Sequence, residues 1–167
     1  IIKNIQIVEL FHGPTLAFKD FGARFMAKTM EKVVASHNRK LNILVATSGD
    51  TGSAVANGFY QVEGINIIIL YPSKKVSYIQ EKQLTTLNKN IYALEVNGTF
   101  DDCQKLVKTA FVDQDLKDKI KLSSANSINI ARLIPQSFYY FNAYAKTKSD
   151  KQLVISVPSG NFGNLMA

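Results

Sequence analysis

The sequence predicts an α/β fold in which open, mostly parallel sheets carry helices on their faces. Three observations support this prediction. Short continuous apolar runs, such as the one at 67–71, alternate with segments whose apolar residues have helical spacing. Each strand-like run is followed by a helix-like segment, which requires crossover connections and therefore a parallel sheet. The strands lack polar alternation, as is typical of strands buried on both faces.

The elements follow in a regular order. We expect helix 20–34, strand 41–46, helix 52–60, strand 65–71, helix 76–87, strand 91–96, helix 100–112 and a weaker strand 119–124. The stretch 127–144 should form two helices, because Pro135 would break a helix interior. Its aromatic residues Tyr139, Tyr140 and Phe141 should pack in the core. A last strand is expected at 153–157, where Pro158 ends it.

Composition limits the classes of protein and ligand. The chain has 167 residues, 46% of them hydrophobic and 20% charged, which is typical of one soluble globular domain. No apolar run approaches the roughly 20 residues that span a membrane. The net charge of +7 is spread along the chain, which favours a solvated surface over a nucleic-acid interface and is compatible with anionic substrates. One cysteine and two histidines argue against a disulfide or a metal site.

Two loops that follow predicted strands have the composition of anion sites. Residues 47–53, Thr-Ser-Gly-Asp-Thr-Gly-Ser, combine small residues with hydroxyl donors at the start of a helix, where free N–H groups favour an anion. Residues 158–164, Pro-Ser-Gly-Asn-Phe-Gly-Asn, repeat the arrangement of strand, glycine loop and helix. The second loop matches neither a Walker A loop nor a dinucleotide-binding fingerprint, so its signal is weaker.

A lysine near the amino end has the surroundings of a reactive amine. Lys19 lies between Phe18 and Phe21 at the start of the first predicted helix, after the turn at Gly13 and Pro14. Apolar neighbours and a helix amino terminus both disfavour the ammonium form. Such an amine can attack a carbonyl and form a Schiff base. The alternative is a surface lysine whose stem packs on phenylalanine.

Four segments together resemble the threonine synthase family, pyridoxal-phosphate enzymes with the tryptophan synthase β-subunit-like fold (fold type II). They are residues 9–20 (Glu-Leu-Phe-His-Gly-Pro-Thr-Leu-Ala-Phe-Lys-Asp), 48–52 (Ser-Gly-Asp-Thr-Gly), 124–132 (Ser-Ala-Asn-Ser-Ile-Asn-Ile-Ala-Arg) and 158–163 (Pro-Ser-Gly-Asn-Phe-Gly). They occur in family order and span nearly the whole chain. The resemblance implies a carbon–oxygen lyase that converts O-phospho-L-homoserine and water to L-threonine and phosphate, with pyridoxal phosphate as electron sink.

The resemblance also implies roles for particular residues. Lys19 would be the catalytic lysine that forms the resting Schiff base and then moves protons. Asp50 takes the position where relatives such as cysteine synthase carry an asparagine facing the cofactor's 3′ oxygen. The cofactor phosphate would be held by the loop residues Gly160, Asn161, Phe162, Gly163 and Asn164. The substrate would be bound by Ser48, Gly49, Thr51, Gly52, Asn126, Ser127, Asn129 and Arg132.

Whole members of the family are longer than this chain, so we expect a truncated form of the fold. Residues 1–20 would belong to the large cofactor domain, 21–142 would form the small α/β domain, and 143–167 would return into the large domain. The isolated chain should then be inactive, and the remainder of its parent chain would be its partner. The resemblance suits a cytoplasmic enzyme with no nucleic-acid, membrane or metal partner. Two alternatives remain open: another lyase or dehydratase of the same fold, or a non-catalytic module that binds a phosphate-bearing ligand.

Overall fold

The computed structural model describes residues 5–37, 40–126, 129–147, 152–160 and 162–167. Within these residues the centre of the fold is a four-stranded sheet in which every strand pair is parallel. The strands are β1 (Leu41–Ala46), β2 (Ile65–Pro72), β3 (Ile91–Val96) and β4 (Leu122–Ser124). Their spatial order is β3-β2-β1-β4, so β1 lies between β2 and the short β4. The predicted parallel α/β class is confirmed.

Helices connect the strands and cover the sheet. They are α1 (Lys19–His37), α2 (Asp50–Gly58), α3 (Tyr78–Thr85), α4 (Phe100–Val112), α5 (Gln114–Lys119), α6 (Ile130–Lys146) and α7 (Gly163–Met166). Two of them begin with a reciprocal capping box, Ser77 with Gln80 on α3 and Thr99 with Asp102 on α4. No helix in the described part of the chain is long and apolar enough to cross a membrane.

The two faces of the sheet are buried in separate clusters. Ile43 and Val45 of β1 belong to the larger cluster, which includes residues of α1 and α2. Leu44 and Ala46 point to the opposite face and pack with Cys103 of α4. Burial on both sides explains why these strands read as continuous apolar runs in the sequence.

Helix α6 differs from the prediction because it is continuous through Pro135. Its aromatic residues hold it against α1, with Phe138 packed edge-on to Phe25 and Tyr139 near Phe21. The side chain of Gln136 donates to the carbonyl of Arg132 at 2.9 Å in the turn around the proline. We attribute the unbroken helix to this packing, which outweighs the roughly 3 kcal/mol that an interior proline costs.

Other elements also depart from the sequence-based expectations. Residues 153–157 form no strand, because the sheet among the described residues offers this run no neighbour with which to build a ladder. The expected strand at 119–124 is reduced to β4, and α5 occupies a stretch for which the sequence predicted no helix. Phe141 is 70% exposed rather than buried, so its expected core position is wrong.

Candidate active site

A cleft of about 400 Å³ opens at the carboxyl ends of β1 and β4. This edge is where ligands bind in open parallel sheets. The cleft is lined by Lys19 of α1, by the loop after β1, by Gln80 of α3, by one side of α4, and by Ser124 and Asn126 after β4. Three of the four sequence segments singled out above therefore contribute to one cavity.

The turn before Lys19 is held by a buried acid. Asp20 is 4% exposed, and its carboxylate accepts hydrogen bonds from both the backbone N–H and the hydroxyl of Thr15. The N–H of Leu16 donates to the carbonyl of Gly13 at 3.1 Å and closes the turn. A Cβ at Gly13 would lie 2.2 Å from an Asp20 carboxylate oxygen, so only glycine fits there. This network fixes Lys19 at the first position of α1.

A residue that the sequence analysis assigned to the core also positions Lys19. The hydroxyl of Tyr139 on α6 donates to the backbone carbonyl of Phe18, the residue directly before the lysine. Burial raises the pKa of Tyr139 to about 12, so the phenol stays protonated and remains a donor. No local sequence pattern marks this contact, because it joins residues that are 121 positions apart.

Lys19 has the electrostatic surroundings of a reactive amine. Burial lowers its pKa, as the sequence predicted, and the charge of Arg132 lowers it further. Asp50 acts in the opposite direction and raises the pKa of Lys19. The lysine Nζ also lies 5.5 Å from the centre of the Phe18 ring. A larger fraction of this amine is therefore neutral at a given pH than for an exposed lysine.

The loop after β1 is organised by Thr47, which the sequence analysis did not single out as a site residue. Thr47 is 1% exposed, and its Oγ1 accepts from the N–H groups of Gly49 at 3.1 Å and Gly52 at 2.9 Å. The same oxygen donates to the carbonyl of Gly49 at 2.9 Å. The N–H groups of both predicted glycine ligands are thus engaged within the loop. Ser48 and Thr51 also line the cleft.

Asp50 begins α2 at the edge of the same cleft. One of its carboxylate oxygens accepts a hydrogen bond of 2.7 Å from the side-chain amide of Gln80 on α3. Gln80 is a further residue that the sequence analysis missed. Its signal was visible, because Ser-x-x-Gln before a helix is a capping-box pattern, but that pattern alone does not predict a contact with α2.

The two asparagines predicted to bind the substrate are both engaged in protein contacts. The side chain of Asn126 bonds both the N–H and the carbonyl of Ala46, at 3.2 and 2.8 Å, and so ties β4 to the end of β1. Asn129 caps α6 through the N–H of Ala131 and donates to the carbonyl of Ser124 at 2.7 Å. Asn126 also lines the cleft. The predicted neighbour Ser127 lies outside the described residues.

Arg132 is a buried cation with incomplete bonding. It is 2% exposed, and one Nη donates to the carbonyl of Ala125 at 2.8 Å. Its Nε has no partner, and no carboxylate forms an ion pair with it within the described residues. Burial lowers the pKa of Arg132 to about 10. A charge held in this way lacks an anion, which a ligand can supply.

The second glycine loop lies against α6. Asn164 is buried and its carbonyl accepts a hydrogen bond from the hydroxyl of Tyr140, while Gly163 lies beside Gln136. A Cβ at Gly160 would meet no atom within 4 Å, and Phe162 is 57% exposed with a left-handed backbone. Asn161 lies outside the described residues. The described residues of this loop are not among those that line the cleft around Lys19.

Comparison with known proteins decides the family. The family model described as "Pyridoxal-phosphate dependent enzyme" matches residues 7–167. The chain belongs to this family. It is 58% identical over 169 residues to a threonine synthase of Buchnera aphidicola from Acyrthosiphon pisum, covering 100% of this chain and 39% of that protein. The chain thus spans about two fifths of the length of that relative.

Solved structures agree with the fold. A pyridoxal-phosphate-bound threonine synthase from Brucella melitensis matches with a TM-score of 0.86 and 44% identity, over 96% of this chain and 35% of that one. The Escherichia coli threonine synthase matches with a TM-score of 0.84 and 54% identity, over 94% of this chain and 37% of that one. The parallel sheet seen here is therefore part of the fold that these enzymes share.

The residues present suit the family's cofactor. Pyridoxal phosphate has an aldehyde, for which a partly neutral amine is the matching nucleophile, and Lys19 provides one in the cleft. Arg132 is in addition a buried cation without an anion, which suits a phosphate-bearing ligand. Both features are properties of this structure and do not depend on the resemblance.

Proposed function

We propose that this chain is a segment of a threonine synthase that converts O-phospho-L-homoserine and water to L-threonine and phosphate. The observation that carries the proposal is the half-buried Lys19 amine in a cleft that Ser48 and Thr51 also line, within the electrostatic influence of the buried Arg132. Such a site suits a carbonyl-bearing cofactor together with a phosphate-bearing substrate. The names of the relatives at 44–58% identity support this activity over another lyase or dehydratase of the same fold.

The proposed division into domains follows the resemblance. Residues 1–20 and 143–167 would belong to a large cofactor domain, and 21–142 to a small α/β domain. An apolar stripe on α6 supports a contact with the remainder of the parent chain, since Ile134, Phe138 and Phe141 are 49%, 40% and 70% exposed. We place the enzyme in the cytoplasm, a reducing compartment with which a single buried cysteine is compatible.

Lys19 would carry the central role. Its amine would hold the cofactor covalently, and its Nζ would then take up and return protons on the substrate carbons. Once bound, pyridoxal phosphate supplies an electron sink that stabilises negative charge next to the substrate nitrogen. Burial and the charge of Arg132 lower the pKa of the lysine, which favours the neutral amine that attacks the cofactor and accepts a proton. The ammonium formed in this way would then return the proton.

The remaining predicted residues would bind and orient anionic groups. Ser48 and Thr51 offer hydroxyl donors at the cleft, and Gly49 and Gly52 shape the loop between them. Arg132, with Asn126, Ser127 and Asn129 nearby in sequence, would take the substrate phosphate. Asp50 would face the cofactor's 3′ oxygen, and Gly160, Asn161, Phe162, Gly163 and Asn164 would hold its phosphate.

The test is covalent labelling followed by turnover. The full-length protein is incubated with pyridoxal phosphate, reduced with borohydride and digested, and the modified lysine is identified by mass mapping. We expect the label at Lys19 and not at Lys108, a second lysine that lines the same cleft and is a matched control. Lys19→Arg should abolish the label, whereas Lys108→Arg should retain it.

Turnover separates threonine synthase from its alternatives. Phosphate release from O-phospho-L-homoserine is compared with ammonia release from L-serine and L-threonine. Release of phosphate with threonine as product supports the proposal. Labelling of Lys19 with turnover of serine alone would instead indicate a dehydratase, and absence of any label at Lys19 would indicate a non-catalytic module.

A further inference from the structure

Both the oxygen and the nitrogen of the Gln80 side-chain amide form hydrogen bonds. It is the third residue of α3, where its Oε1 accepts from the N–H and the hydroxyl of Ser77 at 3.3 and 3.0 Å and completes the capping box. Its Nε2 donates to the Asp50 carboxylate at 2.7 Å. One side chain therefore joins the first turn of α3 to the first residue of α2.

The orientation of this amide is determined by its partners. Exchanging its oxygen and nitrogen would place an NH₂ group against the N–H of Ser77 and an oxygen against the Asp50 carboxylate. Both contacts would be repulsive. Gly49 provides the room for the amide, because a Cβ there would lie 2.8 Å from Gln80 Nε2. The surroundings thus admit Gln80 in one orientation only, as a neutral donor to Asp50.

The Asp50 carboxylate that Gln80 binds lies near Lys19 without forming an ion pair with it. Asp50 and Lys19 line the same cleft and interact electrostatically. Within the described part of the chain, however, no ion pair joins Lys19 to any carboxylate. One Asp50 carboxylate oxygen instead accepts the hydrogen bond from Gln80, which holds the carboxylate against α3.

We propose that Gln80 is a positioning residue that clamps the Asp50 carboxylate to α3 and so keeps it from forming an ion pair with Lys19. The functional meaning of this clamp rests on the proposed role of Lys19. An ion pair would hold the lysine as an ammonium, a form that cannot attack a carbonyl. Gln80 would thereby protect the reactive form of the lysine without contacting it.

The charges that face Lys19 come from three elements. Asp50 of α2 raises the pKa of Lys19, and Arg132 of α6 lowers it. Lys108 of α4 lines the cleft as a further cation. Release of Asp50 from Gln80 would move the one opposing charge in this set towards the amine, and the pKa of Lys19 would then rise.

The first test is Gln80→Glu in the full-length protein freed of cofactor. Glutamate keeps the acceptor of the capping box, where it is a preferred residue, so α3 should fold normally. It removes the donor and repels Asp50. The reactivity of Lys19 is measured by competitive acetylation with acetic anhydride and peptide mass mapping from pH 6 to 10. We expect acetylation of Lys19 at pH 7 to slow about tenfold, as for a rise of one pKa unit.

A second pair of variants separates the clamp from the added charge and from the cap. Gln80→Met is neutral, loses the capping box and releases Asp50. Ser77→Ala weakens the same box but leaves the Gln80 amide beside Asp50, so it is the matched control. We expect both to lower the melting temperature by a similar amount, and only Gln80→Met to slow acetylation of Lys19. Equal acetylation in Gln80→Met and the wild type would overturn the proposal.

Turnover adds a readout that a purely structural role would not shift. With O-phospho-L-homoserine as substrate, Gln80→Met should move the acidic limb of the kcat profile to higher pH, while Ser77→Ala should leave it in place. If the wild type releases no phosphate, the proposed function fails, yet the acetylation comparison still decides the role of Gln80. If the wild type turns over and both Gln80 variants match it in acetylation and pH profile, the clamp fails alone.

Discussion

Replacing Arg132 with methionine should stabilise the ligand-free protein while removing its response to phosphate. Burial lowers the pKa of Arg132 from its ordinary value to about 10, and at about 1.4 kcal/mol per pKa unit the buried charge costs about 3 kcal/mol. Because the folded pKa lies below the unfolded one, this cost is fully present at neutral pH and disappears only as the pH rises above about 10 and the guanidinium loses its proton.

Methionine fills a similar volume without charge, but it leaves the carbonyl of Ala125 without its 2.8 Å donor. An unsatisfied buried acceptor costs about 1–3 kcal/mol. The net change in the free energy of unfolding should therefore be a gain of up to about 2 kcal/mol, in line with other buried charges replaced by apolar side chains. Arg24→Met, the same substitution at an exposed position of α1, should change stability by less than about 0.5 kcal/mol.

The assay is urea denaturation of the full-length, cofactor-free protein with and without inorganic phosphate, followed by circular dichroism. Phosphate at about 100 times its dissociation constant should stabilise the wild type by about 2.7 kcal/mol and leave Arg132→Met unchanged. The ranking of the two proteins should thus invert on addition of phosphate. The reasoning is refuted if Arg132→Met loses 2 kcal/mol or more without phosphate and phosphate still stabilises it as it does the wild type.

Three further outcomes follow from the same structure. Gly13→Ala should destabilise the fold by about 2 kcal/mol or more in thermal or urea denaturation, because its Cβ would overlap the Asp20 carboxylate. Gly160→Ala, where a Cβ meets no atom within 4 Å, should have little effect on stability. Equal stability of the two variants would contradict this reasoning. Tyr139→Phe should cost about 1–2 kcal/mol, since it leaves the Phe18 carbonyl without the phenol donor, and unchanged urea midpoints would show that this bond is dispensable. The isolated 167-residue chain should release no phosphate from O-phospho-L-homoserine, and measurable turnover by the purified chain would count against the proposed domain division.

The sequence predicted the elements whose signal is local and strong. The apolar runs of β1, β2 and β3 were correct to within one residue, because burial on both faces of a parallel sheet leaves little freedom in composition. The order of strand and helix also put the loop at 48–52 after a strand, at the edge of the sheet where ligands bind. This loop lines the observed cleft, so that wall of the candidate site was predictable from pattern and topology.

The predictions that were wrong or incomplete concern residues whose structure depends on partners distant in the chain. Residues 153–157 have the composition of a strand, but a strand forms only against a neighbour, and composition does not reveal whether one is present. Pro135 ends a helix in isolation, whereas contacts with α1 hold α6 together. Tyr139 and Gln80 reach the site through hydrogen bonds that span 121 and 30 positions, and no periodicity encodes such contacts.

The polar groups of the site divide into satisfied and unsatisfied sets, and the division indicates what a ligand must supply. Thr47 bonds to the backbone of the loop after β1 and Asn126 to the backbone of Ala46, so they shape the cleft. The Asp50 carboxylate is held by Gln80. Among the cations at the site, Lys19 and Arg132 form no ion pair with a carboxylate within the described residues. Because an unpaired buried charge is costly, ligands that bring a carbonyl to Lys19 and an anion to Arg132 would stabilise this arrangement most. A carbonyl-bearing cofactor and a phosphate-bearing substrate would together supply both groups.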